Sequence, residues 1–127
     1  MTLILLTTVQ TTRVERSNTM AIIRGTTPII TFHVKNEQLD LDDIAEIWIT
    51  FKTKAGVKVK DKTYTREDVT IDNTEHTIEL FLTQEDTLDF SNTNMVVQLR
   101  VRFNDDMAFA SDIIDIPIGH ILKEGVI

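Results

Sequence analysis

A chain of 127 residues is long enough for one domain with a sizeable core, and its complete lack of cysteine excludes disulfide scaffolds, thiolate chemistry and Cys-ligated zinc. Twenty acidic residues against 13 basic ones give a formal charge of −7, which disfavours phosphate backbones, so no nucleic-acid partner is expected. No apolar run approaches the ~20 residues that cross a bilayer, so no membrane partner is expected either.

Residues 1–19 differ from the rest. Leu3 to Leu6 is apolar, but it has no preceding basic flank and is too short for a signal-peptide core. Thr7 to Thr19 is rich in threonine and lacks periodicity. Glu15-Arg16-Ser17 can be encoded as GAA AGG AGC, a bacterial ribosome-binding string, and it lies just before Met20. The segment is therefore expected to be a flexible arm or an untranslated leader, with the folded domain over 20–118 and an apolar tail over 119–127.

Period-two alternation dominates the domain and predicts strands, each with one wet face. Ile29 to Val34 points Ile30, Phe32 and Val34 inward. After a polar connection, Ala45 to Lys52 points Ala45, Ile47, Ile49 and Phe51 inward, with Glu46, Trp48, Thr50 and Lys52 outward. Lys54-Ala55-Gly56 reads as a turn into a hairpin partner over Val57 to Lys62. A short strand around Val69 to Ile71 precedes an Asp72-Asn73 turn and a strand over Thr77 to Leu82, with Ile78, Leu80 and Leu82 inward. Thr83, with Asp86 three residues on, predicts a capped helical turn over Gln84 to Leu88. Met95 to Phe103 is the most regular strand, with Val97, Leu99, Val101 and Phe103 inward and Gln98, Arg100 and Arg102 outward. From Met107 to Ile118 the phase slips: Met107 and Phe109 carry the pattern first, then Ile114, Ile116 and Ile118. This predicts a β-bulge near Asp112. Many short strands with turns between them imply an all-β antiparallel sandwich or barrel.

Residues with chemistry are sparse. His33, His76 and His120 are far apart and share no ligand spacing, no serine sits in a nucleophile elbow, and four glycines are too scattered to cradle phosphate. No catalytic, cofactor or metal residue is assigned, and an enzyme is not expected. Asp40, Asp42 and Asp43 crowd one loop, and Asn104, Asp105 and Asp106 another. Either loop could hold calcium, but ordinary turn chemistry explains both. Trp48, the sole tryptophan, points outward. It is either a partner or sugar-stacking surface or is covered by a loop of its own chain. The tail ends in aliphatic residues, so Ile121, Leu122, Val126 and Ile127 are expected to pack back as an edge strand or to dock on a neighbour. With Trp48 they form the candidate partner interface.

Longer motifs carry a resemblance. They are Arg24-Gly25-Thr26-Thr27-Pro28-Ile29-Ile30-Thr31-Phe32, Ile44-Ala45-Glu46-Ile47-Trp48-Ile49-Thr50-Phe51-Lys52, Leu82-Thr83-Gln84-Glu85-Asp86-Thr87, Gln98-Leu99-Arg100-Val101-Arg102-Phe103 and Ile121 to Ile127. In these the chain resembles, over residues 20–127, a family of short proteins encoded among the structural genes of phages and prophages of Gram-positive bacteria. More distantly it resembles the N-terminal immunoglobulin-like domain of phage baseplate upper proteins. The Leu82 to Thr87 stretch is similar to the helical turn before strand F of immunoglobulin domains, with Phe90 where a corner tyrosine is usual. The resemblance implies an immunoglobulin-like β-sandwich without enzymatic activity. It implies a structural or adaptor role on the virion, at the tail or baseplate, with other virion proteins and its own copies as partners. Localisation would be the virion, assembled in the bacterial cytoplasm. The alternative is a carbohydrate-binding module that uses Trp48 and an acidic loop.

Overall fold

Inward-facing β-branched and aromatic residues at alternate positions force the chain into sheets that bury one face each. A computed structural model describes residues 4–10, 21–35, 38–54, 62–90 and 93–127. In chain order the elements begin with β1 (Ile4–Gln10), β2 (Ile22–Ile23), β3 (Ile29–Val34), β4 (Ile44–Thr53), β5 (Lys62–Thr65) and β6 (Val69–Asp72). They continue with β7 (Thr77–Phe81), the helical turn α1 (Gln84–Leu88), β8 (Met95–Phe103), β9 (Ala108–Ala110), β10 (Ile114–Ile116) and β11 (Ile118–Gly119).

One sheet runs β1-β3-β7-β6 and the other β10-β8-β4-β5, with β9 also on β8, and all these pairings are antiparallel. A short parallel pair, β11-β2, stands apart. Between the two sheets lies one core. Ile30, Phe32, Ile78 and Leu80 come from the first sheet, and Ile47, Ile49, Phe51, Val97 and Leu99 from the second, all fully buried. This is an all-β sandwich, one of the two architectures that the alternation implies.

Several local readings change. Ile4–Gln10, left outside the domain by the sequence reading, lies along β3 as an edge strand. In β4 the pairing shifts by one residue between Ile44 and Glu46, so Ile44 is buried and Ala45, expected inward, is only half-buried. The hairpin partner expected over 57–62 lies outside the described residues except for Lys62, where β5 begins. Met107, also expected inward, is exposed in a turn that Asp106 enters at φ 67°.

The bulge near Asp112 is present. Arg100 pairs with Ala110, but Val97 pairs with Ile114, so 111–113 hold one residue more than the facing strand. The helical turn also matches its expected bounds: the Thr83 hydroxyl accepts the Asp86 N–H at 3.2 Å, and the Asp86 carboxylate accepts the Thr83 N–H at 2.9 Å.

Candidate partner-binding surface

The outward positions of β4 and β8 build the most distinctive surface. Trp48 lies opposite Arg100 on β8 and Thr65 on β5, and it is 48% exposed on the outer face. The Arg100 guanidinium sits 5.6 Å from the centroid of the indole ring, within cation–π range. Two residues along, Arg102 faces Glu46 on one side and the small Ala108 on the other. Glu46, Trp48, Arg100, Arg102 and Ala108 line a shallow depression of about 160 Å³. It offers a flat apolar ring beside two guanidinium groups, with one carboxylate, Glu46, in the same lining, which suits an anionic, partly apolar contact.

The tail residues lie elsewhere. β11 runs parallel to β2, and beyond it Arg24 forms an ion pair with Glu124. The Gln84 side chain holds the Ile127 main chain on both sides, accepting its N–H at 2.9 Å and donating to its carbonyl at 3.2 Å. The tail thus packs back on α1 as a strap. Ile121 is half-buried and would be met by a Cβ at Gly25, whereas Leu122, Val126 and Ile127 expose their side chains. The predicted interface residues therefore form two separate surfaces.

Between the N-terminal turn, α1 and β5 lies a polar clasp. The Arg24 Nε donates to the Phe90 carbonyl at 3.1 Å and its Nη2 to the Leu88 carbonyl at 2.6 Å, satisfying the end of α1. The fully buried Thr87 hydroxyl donates to the Thr26 carbonyl and accepts the Gly25 N–H, both at 2.9 Å. Gly25 has φ 78°, which explains glycine there. From β5, Lys62 reaches Asp89 at 3.2 Å and Asp86 at 3.7 Å. Tyr64 packs edge-on against Phe51, and its hydroxyl is buried without an aligned hydrogen-bond partner. Burial first, then the negative charge of Asp86, with Asp68 and Asp89 adding to it, hold this phenol neutral well above its ordinary range.

The other candidates resolve into structure. His33 is half-buried on β3, His120 is exposed, and His76 takes φ 56° in a turn where its carbonyl accepts the Val34 N–H. Among the described residues no group of three or more His, Cys, Asp or Glu is placed to hold a metal ion. The acidic loops use turn chemistry: Asp40 accepts the Asp42 N–H, and Asp105 the Met107 N–H. The two loops are neighbours, since the Asn104 N–H donates to the Asp43 carbonyl at 2.9 Å. No helix among the described residues is long and apolar enough to cross a membrane.

No protein-family model matches this chain, and no curated protein matches it.

One surface residue escaped the sequence reading. Phe81 is 54% exposed on the outer face of β7, beside Ile29 and the acidic Asp68 and Glu79. The signal was available: with Ile78, Leu80 and Leu82 inward, alternation sends Phe81 out.

Proposed function

We propose that this chain is a non-enzymatic structural or adaptor protein of a bacteriophage or prophage virion, placed at the tail or baseplate and acting through protein–protein contacts. The sequence motifs over residues 20–127 supply the phage assignment. The observation that carries the contact role is the placement of the large exposed apolar side chains. Trp48 and Phe81 sit on open sheet faces, and Leu122 and Ile127 on a strap held at the surface. Such surfaces gain free energy when another protein covers them.

The immunoglobulin-like assignment belongs to the same proposal. In that fold one sheet runs A-B-E-D and the other carries G, F and C, with C′ added in variable-type domains. The orders β1-β3-β7-β6 and β10-β8-β4-β5 can be lettered the same way, with α1 between E and F. Phe90, buried against Phe51 at 5.2 Å, stands near the tyrosine-corner position without a hydroxyl.

Sugar binding is less well supported. The guanidinium of Arg100 already lies against the Trp48 ring, and Tyr64, on the neighbouring strand β5, pairs with Ile49 and faces the core side. A stacking platform of two aromatics on one face is therefore not formed by this pair. The test is to induce a lysogen that carries an epitope-tagged copy and to purify particles on a density gradient. The tagged chain is expected in the particle band at a fixed ratio to the major tail protein. Its confinement to the soluble fraction would overturn the reading.

A further inference from the structure

We propose that copies of this chain associate face to back, the Trp48–Arg100–Arg102 surface of one seating on the Phe81–Asp68–Glu79 surface of the next. The argument begins with the sandwich. The two sheets pack through their inner faces, so their outer faces point in opposite directions and one copy cannot join its own two patches. Each patch has one exposed aromatic ring, Trp48 within β4 and Phe81 at the end of β7. Each is flanked by charge of one dominant sign. Beside Trp48 are Arg100 and Arg102, and beside Phe81 are Asp68 and Glu79, which share a depression with Ile29 and Thr70.

The charges are available. Among the described residues Arg100 contacts the indole ring but no carboxylate, and Arg102, which faces Glu46 across the strand pair, forms an ion pair with the exposed Asp106 at 3.5 Å, so the two guanidinium groups outnumber the one carboxylate of the depression. Glu79, opposite Thr31 and Thr70, meets no cation among the described residues, and the exposed Asp68 accepts the Thr65 N–H at 2.8 Å as the cap of its turn while leaving its other oxygen free of hydrogen bonds among the described residues. A basic patch is also unexpected on a chain of net charge −7, and an acidic face of the same chain is its natural complement. The charges are placed comparably. Arg100 and Arg102 stand two residues apart on one strand, ~7 Å, while Glu79 faces Thr70 on the neighbouring strand and Asp68 ends the turn that leads into β6, two residues before Thr70.

Such an interface is heterologous. It uses two different surfaces, so it adds subunits until the rotation closes a ring or a filament grows. Four strands at ~4.8 Å spacing and about six residues of length outline only ~400 Å² per face, below the size of standard stable interfaces. The association is therefore weak in solution and strengthens when the copies are held together in a larger assembly.

The inference rests on the reading of this chain as a contact protein, but its test needs no particle, so the two can fail separately. Sedimentation velocity of the purified chain from about 10 μM to about 1 mM is expected to give a mass average that rises with concentration. Trp48, as the sole tryptophan, should shift its emission to the blue over the same range. Two variants then test the geometry: Arg100→Glu with Arg102→Glu removes the front patch, and Phe81→Ser with Glu79→Lys removes the back. Each alone should be monomeric, and an equimolar mixture should form a 1:1 pair, because each retains the patch the other lacks. If circular dichroism shows either variant to be unfolded, the single changes Trp48→Ser and Phe81→Ser serve in its place. A wild type that stays monomeric throughout, self-association of either variant like the wild type, or a mixture that stays monomeric would each overturn the proposal.

Discussion

Ser111 and Leu99 hold each other twice: the Ser111 N–H donates to the Leu99 carbonyl at 2.8 Å, and the Ser111 hydroxyl accepts the Leu99 N–H at 3.0 Å. The extra residue between β9 and β10 would otherwise leave a buried amide of β8 without its ladder partner, and one side chain replaces that bond. The hydroxyl also donates to the Asp112 carbonyl at 2.9 Å. Ser111→Ala keeps the volume but strands the Leu99 amide, so it is expected to cost about 1–3 kcal/mol in a urea melt. A loss under about 0.5 kcal/mol, the scale of an ordinary surface change, would mean the bulge does not depend on this hydroxyl.

Arg24 is more deeply placed than the partner it meets in the tail. Its side chain is 11% exposed, against 63% for Glu124, and it satisfies two carbonyls at the end of α1. The helix-end role should therefore outweigh the ion pair. Arg24→Ala is expected to destabilise by about 2–3 kcal/mol, because charge-assisted bonds to partly buried carbonyls are lost. Glu124→Gln should cost less than about 1 kcal/mol, as exposed pairs do. Paired chemical melts of the two variants check the order, and equal losses would show that the strap, rather than the helix end, is what Arg24 stabilises.

How much of this was legible from residue order depends on the kind of signal. Ile78, Leu80 and the Val97-to-Phe103 series alternate without interruption, so β7 and β8 could be read directly. Thr83 and Asp86 announced α1 because capping is local chemistry over four residues. Ala45 was misplaced because Ala45, Ile47, Ile49 and Phe51 fit an unbroken alternation, whereas the one-residue shift between Ile44 and Glu46 belongs to the pairing with β8 and leaves no mark in the residue pattern. β1 gave no alternation to read, since an edge strand on β3 can be specified by partner backbone rather than by its own pattern. At the candidate surface Trp48 was visible, but Arg100 beside its ring depends on the strand register, and the contact between the two acidic loops depends on the tertiary fold.

Tyr64 gives a pH prediction with a definite sign. In the unfolded chain the phenol ionises near its ordinary value of 10.0, while burial and the carboxylates around it keep it protonated well above that in the fold. The folded state thus binds the proton more tightly. This contribution is fully present below pH 10.0 and is lost as pH climbs through the raised folded value. Tyr64→Phe removes both the titration and a buried hydroxyl without an aligned partner, so at about pH 8 it should be neutral or up to about 1 kcal/mol stabilising. Urea melts at about pH 11 should show the wild type losing ground to the variant. Parallel declines would mean that Tyr64 is solvated.

Trp48 separates surface function from stability. Its ring is half exposed and its strand neighbours on the outer face are polar, whereas Phe51, three residues along on the inner face, is fully buried against Tyr64 and Phe90. Trp48→Ser should therefore cost less than about 1 kcal/mol, the span of β-propensity. Phe51→Ala should cost about 3–5 kcal/mol through cavity formation. Because Trp48 is the sole tryptophan, the melts must be followed by circular dichroism rather than emission. The same variant, stable alone, is expected to be missing from purified particles. A large loss of stability would instead make Trp48 part of the packing that holds β4 to β8, and its absence from particles would then reflect unfolding rather than a lost contact.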